Sequence, residues 1–466
     1  MLPAHRAWPA PGSALAAAAL LCASALWAAR PAQEELVFWH TQGDDRGELL
    51  ARLIEDYNAS GPPMPVQAIY KGSYDDIFRA TRANLIAGNP PDLAIAYESM
   101  VNEYMKLREV ANLDPLLRDP QIGLTQEEID DFFPAFLQIN RYPQFGGAML
   151  SFAFTKSLLI LYANEDLIAQ AGFSGPPKTW DEFLEQCAAM RRIGKKGYPI
   201  VVDASTLDGM FMSRGAQLLE PDLRTTRFDQ PPVVETLRFL RRLAEAEGLY
   251  QVDGQSDQDL TEFVQQNAAF FLRSSTRRPT LQKAIGEKFR WSMNLPPHDP
   301  GVEPMTVLYG GDICLFPTGE ERVRAAWHFL KYFASPEVTA RWAAGSGYAP
   351  LRRSAAQQPV MQAWFQEHPV NRQVFDLIPY GRSEPTPEGW QQVREVIERT
   401  AIDALLGRSG KSAEQLAAEL KQEADRILTP VEQRQSRRGA TYIALLAVAV
   451  VLVLAAMMRR KSAPAS

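Results

Sequence analysis

The sequence predicts an α/β fold, and three observations lead to it. Short apolar runs alternate with stretches of helical period over the first part of the body. Helix-start signals recur farther along. The longest uncharged apolar runs stand apart from this alternation, at the two ends of the chain.

Taken in order, residues 35–39 read as a buried strand. Leu49, Leu50, Leu53, Ile54 and Tyr57 follow at helical spacing, with Asp44 and Asp45 in a polar loop that caps the helix. Residues 66–70 form a second strand, residues 74–87 a second helix and residues 92–97 a third strand. Such alternation indicates parallel β/α/β units, whose ligands gather at the carboxyl ends of the strands. Tyr70 to Tyr74 and Tyr97-Glu98-Ser99 fall at two such ends. Beyond them, Thr179 with Glu182 three residues later makes a capping box, and Pro176-Pro177 stops any helix arriving from upstream. Helical periodicity returns at 233–246, 323–333, 391–406 and 413–427, with short apolar strands at 268–272 and 307–316.

The ends carry different signals. Residues 1–29 read as a secretory signal peptide, with His5 and Arg6 ahead of an Ala/Leu run and Ala23-Ser24-Ala25 as a cleavage site. Residues 439–458 contain no charge, and about 20 apolar residues span a hydrocarbon core of about 30 Å. They are expected to form a C-terminal transmembrane helix, preceded by a linker at 431–438 and followed by a cytoplasmic tail at 459–466. The exported body would occupy 34–430, on the periplasmic or extracytoplasmic face and anchored to the cell membrane. Loss of Cys22 with the signal leaves Cys187 and Cys314, expected as two buried thiols rather than a disulfide.

Composition narrows the function. The 466 residues allow two or three domains. Lys plus Arg number 49 against 55 Asp plus Glu, for a net charge of −6, which argues against nucleic acid as a partner. Three cysteines make no disulfide framework, and five scattered histidines make no metal centre. HExxH, GxSxG, P-loop and GxGxxG motifs are all missing, so neither catalysis nor a cofactor is expected.

Aromatics outside the apolar stripes are more informative. Tyr70, Tyr74, Tyr97, Trp180 and Tyr348 fall in loops or at helix starts. Rings that pack on C–H groups beside carboxylates suit a polyol or sugar. Ser274-Ser275-Thr276 opens a segment that suits an anion or an ordinary cap. Gly310-Gly311 interrupts an apolar run where backbone approaches something closely. Arg394 offers a fork for phosphate, or a solvated helical charge.

The colinear set of motifs resembles the extracellular solute-binding proteins of ABC importers, and within them the glycerol-3-phosphate-binding proteins. It comprises Phe38-Trp39-His40, Tyr70-Lys71-Gly72-Ser73-Tyr74, Gly88-Asn89-Pro90-Pro91, Tyr97-Glu98, Leu161-Tyr162-Ala163-Asn164, Pro176 to Trp180, Gly310-Gly311 and Gly347-Tyr348-Ala349-Pro350. The resemblance implies a two-lobed periplasmic-binding-protein fold, type II-like, with mostly parallel sheets and a hinge; the expected C-terminal transmembrane helix is a departure from that family. By motif position it implies a ligand site of Tyr74, Glu98, Ser157, Trp180, Ser274, Gly311, Tyr348 and Arg394, with Arg394, Tyr348 and Ser274 nearest a phosphate. The implied partners are a small-molecule ligand and ABC permease subunits, with the chain itself a monomer. The implied function is capture of sn-glycerol-3-phosphate or a glycerophosphodiester. The alternatives are a sugar or oligosaccharide binder and a membrane-tethered phosphodiesterase. Lys156, beside Ser157, departs from the small polar residues of the family, and either assists the phosphate or points outward.

Overall fold

The structure is a computed structural model that describes residues 35–107, 109–247, 251–252 and 257–429. The first lobe begins with β1 (Leu36–His40), α1 (Asp44–Ala59), β2 (Val66–Tyr70), α2 (Tyr74–Ile86), β3 (Leu93–Ala96) and α3 (Glu98–Met105). The capping box at Ser73 and Asp76 starts α2 immediately after β2. Apolar residues on one side of each helix (Leu50, Leu53, Ile54 and Tyr57 on α1) cover the sheet.

The chain then adds β4 (Phe152–Ala153) to this sheet and crosses into the second lobe as β5 (Ser157–Asn164). There it forms α4 (Trp180–Arg192), α5 (Ala204–Met212), α6 (Pro231–Glu247), β6 (Phe270–Ser274), β7 (Trp291–Asn294) and β8 (Thr306–Tyr309). It returns to the first lobe for β9 (Asp312–Leu315), α7 (Glu320–Phe333) and α8 (Pro336–Ser346). A last passage ends in β10 (Gly381–Ser383), α9 (Trp390–Leu406) and α10 (Ala413–Leu428) of the second lobe.

The first sheet has the order β2-β1-β3-β9-β4, with β2, β1 and β3 parallel and β9 antiparallel to its neighbours. The second has the order β6-β5-β8-β10, with β7 also paired to β5. Three of its four pairings are antiparallel, which corrects the expectation of a mostly parallel sheet in each lobe. β5 is buried throughout and shared between two cores. Leu158, Ile160 and Tyr162 face one, and Leu159, Leu161 and Ala163 face the other, as a period of two requires.

Cys187 lies in the core of the second lobe and Cys314 in that of the first, both buried and not joined to each other. The expected fold class is corrected in a second respect. Among the described residues no helix is long and apolar enough to cross a membrane, and the fold they form is the two-lobed α/β body alone. The segments read as signal peptide (1–29), linker (431–438), membrane helix (439–458) and tail (459–466) lie outside the described residues.

Where β5 leaves the first lobe, the run expected as one strand over 307–316 is broken by Gly310-Gly311 into β8 and β9, one in each lobe. The two crossings are hydrogen bonded. Thr155 donates from its backbone N–H and its hydroxyl to Gly311 O (2.9 and 3.0 Å), and Ser157 Oγ donates to Tyr309 O (3.2 Å). Gly310 has φ +126°, and a Cβ there would stand 1.6 Å from Thr155 O. Gly310→Ala is therefore expected to cost about 3 kcal/mol or more of stability. Gly175→Ala, where a Cβ meets open space, is expected to cost under about 0.5 kcal/mol. Denaturant unfolding of both variants checks the contrast.

Candidate functional site

Two adjoining cavities lie between the lobes, separated by Tyr309 and Ser205, which line both. The first, about 300 Å³, takes Tyr97, Glu98 and Ser99 from the start of α3, and Glu384, Trp390 and Arg394 from the opposite lobe. The second, about 440 Å³, takes Arg46 from the first turn of α1, and Asp203, Arg273, Ser274, Thr276 and Arg277 from the second lobe. Both sit beside the end of β3 or the chain crossings, where strands end and backbone turns away.

Lys156 lies in the crossing, beside Glu98 of the first cavity. Its side chain is fully buried, with Nζ 2.7 Å from Asp312 Oδ1 and 3.5 Å from Glu98 Oε1. It lines neither cavity and does not point outward. Burial disfavours its charge, yet the two carboxylates prevail and raise its pKa. Asp312 is shifted upward by burial against the opposing pull of Lys156. Glu98 thus belongs both to the crossing and to the first cavity.

Tyr74 and Tyr97 stack with ring centroids 3.9 Å apart, and Thr155 faces the phenols of both Tyr74 and Tyr348. Burial raises the pKa of all three tyrosines, so they remain protonated donors at neutral pH. Tyr348 stacks on Trp342 at 9° between planes and lies under the Arg46 guanidinium, 5.2 Å from its ring centroid.

Arg394 projects from the second turn of α9. It is hydrogen bonded to Glu384 and donates to Ser205 Oγ at 3.1 Å. Burial lowers its pKa, but Glu384 and Asp208 outweigh that and raise it. Asp208, on α5, is fully buried, and neither carboxylate oxygen has a hydrogen-bond partner among the described residues. Burial and Glu384 hold its pKa well above the usual carboxylate range despite Arg394.

The eight residues expected from sequence divide by location. Glu98 and Arg394 line the first cavity and Ser274 the second. Tyr74 and Tyr348 stand one layer back, under Tyr97 and Arg46. Ser157 and Gly311 build the crossing; a Cβ on Gly311 would be 2.6 Å from Tyr74 Oη. Trp180 is apart from them all. It is 1% exposed in the core of the second lobe, against Phe183 and Phe239, with Nε1 donating to Ser213 Oγ at 3.0 Å. The capping box orients the start of α4, turning position 180 inward with 183. Tyr70 is 57% exposed and lines neither cavity. Arg46, Ser205, Tyr309 and Glu384 escaped the sequence reading. Of these, only Tyr309 carried a signal, as the residue before Gly310-Gly311.

The Asp208 environment has a consequence for stability. A carboxyl whose folded pKa is raised contributes stability below its unfolded pKa, about 3.9, that is lost as pH rises toward the folded value. Asn at the same position does not titrate. Asp208→Asn is expected to raise the melting temperature at pH 7.5, and the gain is expected to shrink as pH falls to 4. Thermal melts of both proteins across that range measure it.

Residues 52–370 match the family model described as bacterial extracellular solute-binding protein. The sn-glycerol-3-phosphate-binding periplasmic protein UgpB of Salmonella typhimurium is 23% identical over 390 residues, covering 80% of this chain and 87% of the relative. Its counterpart in Pectobacterium atrosepticum is 21% identical over 84% and 91%. Among solved structures, UgpB from Mycobacterium tuberculosis in complex with glycerophosphocholine superposes with TM-score 0.70 at 19% identity, over 86% of this chain and 99% of that one. The cyclic alpha-maltosyl-1,6-maltose binding protein of Arthrobacter globiformis gives 0.73 at 20% identity, over 84% and 98%. With the family model matching more than half its length, the chain belongs to the bacterial extracellular solute-binding proteins.

Proposed function

We propose that this solute-binding protein captures sn-glycerol-3-phosphate or a glycerophosphodiester between its lobes and delivers it to an ABC permease outside the cytoplasmic membrane. One observation carries the reading: a cavity of tyrosine and carboxylate groups adjoins a cavity of arginine and hydroxyl groups within one cleft. A ligand with hydroxyls at one end and a phosphate at the other matches both. The UgpB relatives, named for sn-glycerol-3-phosphate, support it. Capture needs no covalent step. Closure about the Thr155–Gly311 crossing would bury the solute, and the permease would reopen the cleft. Tyr74, Glu98, Ser274, Tyr348 and Arg394 would contact or frame the solute, Ser157 and Gly311 would hold the hinge, and Trp180 would support α4 from the core.

A second reading is a sugar binder. It is favoured by Glu98 and Glu384 in the first cavity, since paired carboxylates accept sugar hydroxyls well and leave Arg394 compensated. The maltose-type structural neighbours are compatible with it. Calorimetric titration with sn-glycerol-3-phosphate, glycerophosphocholine, maltose and trehalose separates the two. The phosphate compounds are expected to bind; binding of the sugars alone would replace the first reading by the second. Turnover of glycerophosphocholine by the purified protein would overturn both in favour of an enzyme.

A further inference from the structure

We infer that the anionic group of the solute is held in the second cavity, by Arg46, and not at Arg394. This rests on the glycerol phosphate reading. The two arginines differ in what already surrounds them. Arg394 is hydrogen bonded to Glu384, has Asp208 behind it, and opens into a cavity that Glu98 also lines. A phosphate arriving there meets the carboxylates of Glu384 and Glu98, which line the same cavity as the one guanidinium, and like charges at short range oppose it. The local balance of the first cavity is negative, which suits hydroxyls or a cationic substituent.

The second cavity is the reverse. Arg46, Arg273 and Arg277 line it together with the hydroxyls of Ser274, Thr276 and Thr280. Arg273 is paired with Asp259 at 2.7 Å and Arg277 with Asp257 at 2.9 Å. Arg46 has no carboxylate at ion-pair distance among the described residues. It donates only to backbone carbonyls, from Nε to Ser346 O at 2.9 Å and from a terminal nitrogen to Thr276 O at 3.2 Å. Of its five N–H groups, three are left for a ligand. Those two carbonyls belong to opposite lobes, so the guanidinium is fixed across the cleft, with Tyr348 beneath it. Asp203 is the one carboxylate lining this cavity among the described residues. Its oxygens are engaged by the Thr206 N–H (3.0 Å) and hydroxyl (2.6 Å). An oxyanion here meets a half-buried, preorganised cation without displacing an existing ion pair. The remainder of the solute then extends past Tyr309 and Ser205 into the first cavity.

Calorimetry on the full chain with sn-glycerol-3-phosphate, and with inorganic phosphate as competitor, tests the assignment. Arg46→Gln is expected to weaken sn-glycerol-3-phosphate about tenfold or more, and Arg46→Lys to stay within about threefold of wild type. Arg394→Gln is expected to cost less than Arg46→Gln. Ser274→Ala, on the same cavity, provides a second variant and is expected to weaken binding about threefold. Inorganic phosphate should compete in the wild type and not in Arg46→Gln. If folded Arg46→Gln binds within about twofold of wild type, the anion subsite is overturned while the glycerol phosphate reading stands. If inorganic phosphate binds in an Arg46-dependent way and no glycerol phosphate compound binds, the subsite stands and that reading falls. If neither binds, both fall.

Discussion

Between the lobes the chain passes twice through one narrow place, and the two strands there are tied to each other. Thr155 and Ser157 donate to the backbone of Tyr309 and Gly311, and Gly310 adopts a backbone angle of +126° to allow the approach. Inside this crossing sits the ammonium of Lys156, enclosed by Asp312 and Glu98. Removing such charges from water costs several kcal/mol each unless they are paired, so the triad holds together only while α3, β9 and the crossing at Lys156 keep this geometry. Glu98 is at once the first residue of α3, a partner of the buried lysine and part of the cavity wall. A solute that engages Glu98 therefore acts on the crossing itself.

The same economy of groups sets the electrostatics of the cleft. On one side carboxylates outnumber cations, with Glu384 beside Arg394 and Glu98 opposite. On the other, arginines and hydroxyls prevail. The net charge of −6 is no obstacle to an anionic solute, because recognition depends on the few groups that share the cavity. Tyr74, Tyr97 and Tyr348, protonated and stacked, provide a rigid apolar border between polar groups.

Much of the body was legible in the sequence, for reasons that differ by element. The strand Val66–Tyr70 and the box at Thr179 and Glu182 were read to the residue because local signals bound them. The strand Ser157–Asn164 was not read as a strand, its last four residues entering only as a motif of the resemblance, since a continuous apolar run has no period to distinguish strand from helix. The mixed direction of the second sheet is a long-range pairing that no local pattern encodes. Within the site, Glu98 and Ser274 stood at strand ends and were found there. Arg46 escaped that reading, and Arg394 suited a phosphate fork or a solvated helical charge equally. What separates them is Glu384 beside one and two backbone carbonyls beside the other, at sequence separations from ten to 300 residues. Trp180 misled because a helix start reads as exposed, whereas its neighbours Phe183 and Phe239 draw it inward.

The account turns on a single solute touching both lobes. Hydrogen–deuterium exchange of the full chain with and without glycerophosphocholine measures this directly. The account predicts that protection rises together at the start of α3 (Tyr97 to Ser99), in Ser274 to Arg277 and in the first turn of α9. Protection confined to one lobe, or no change in either, would contradict it.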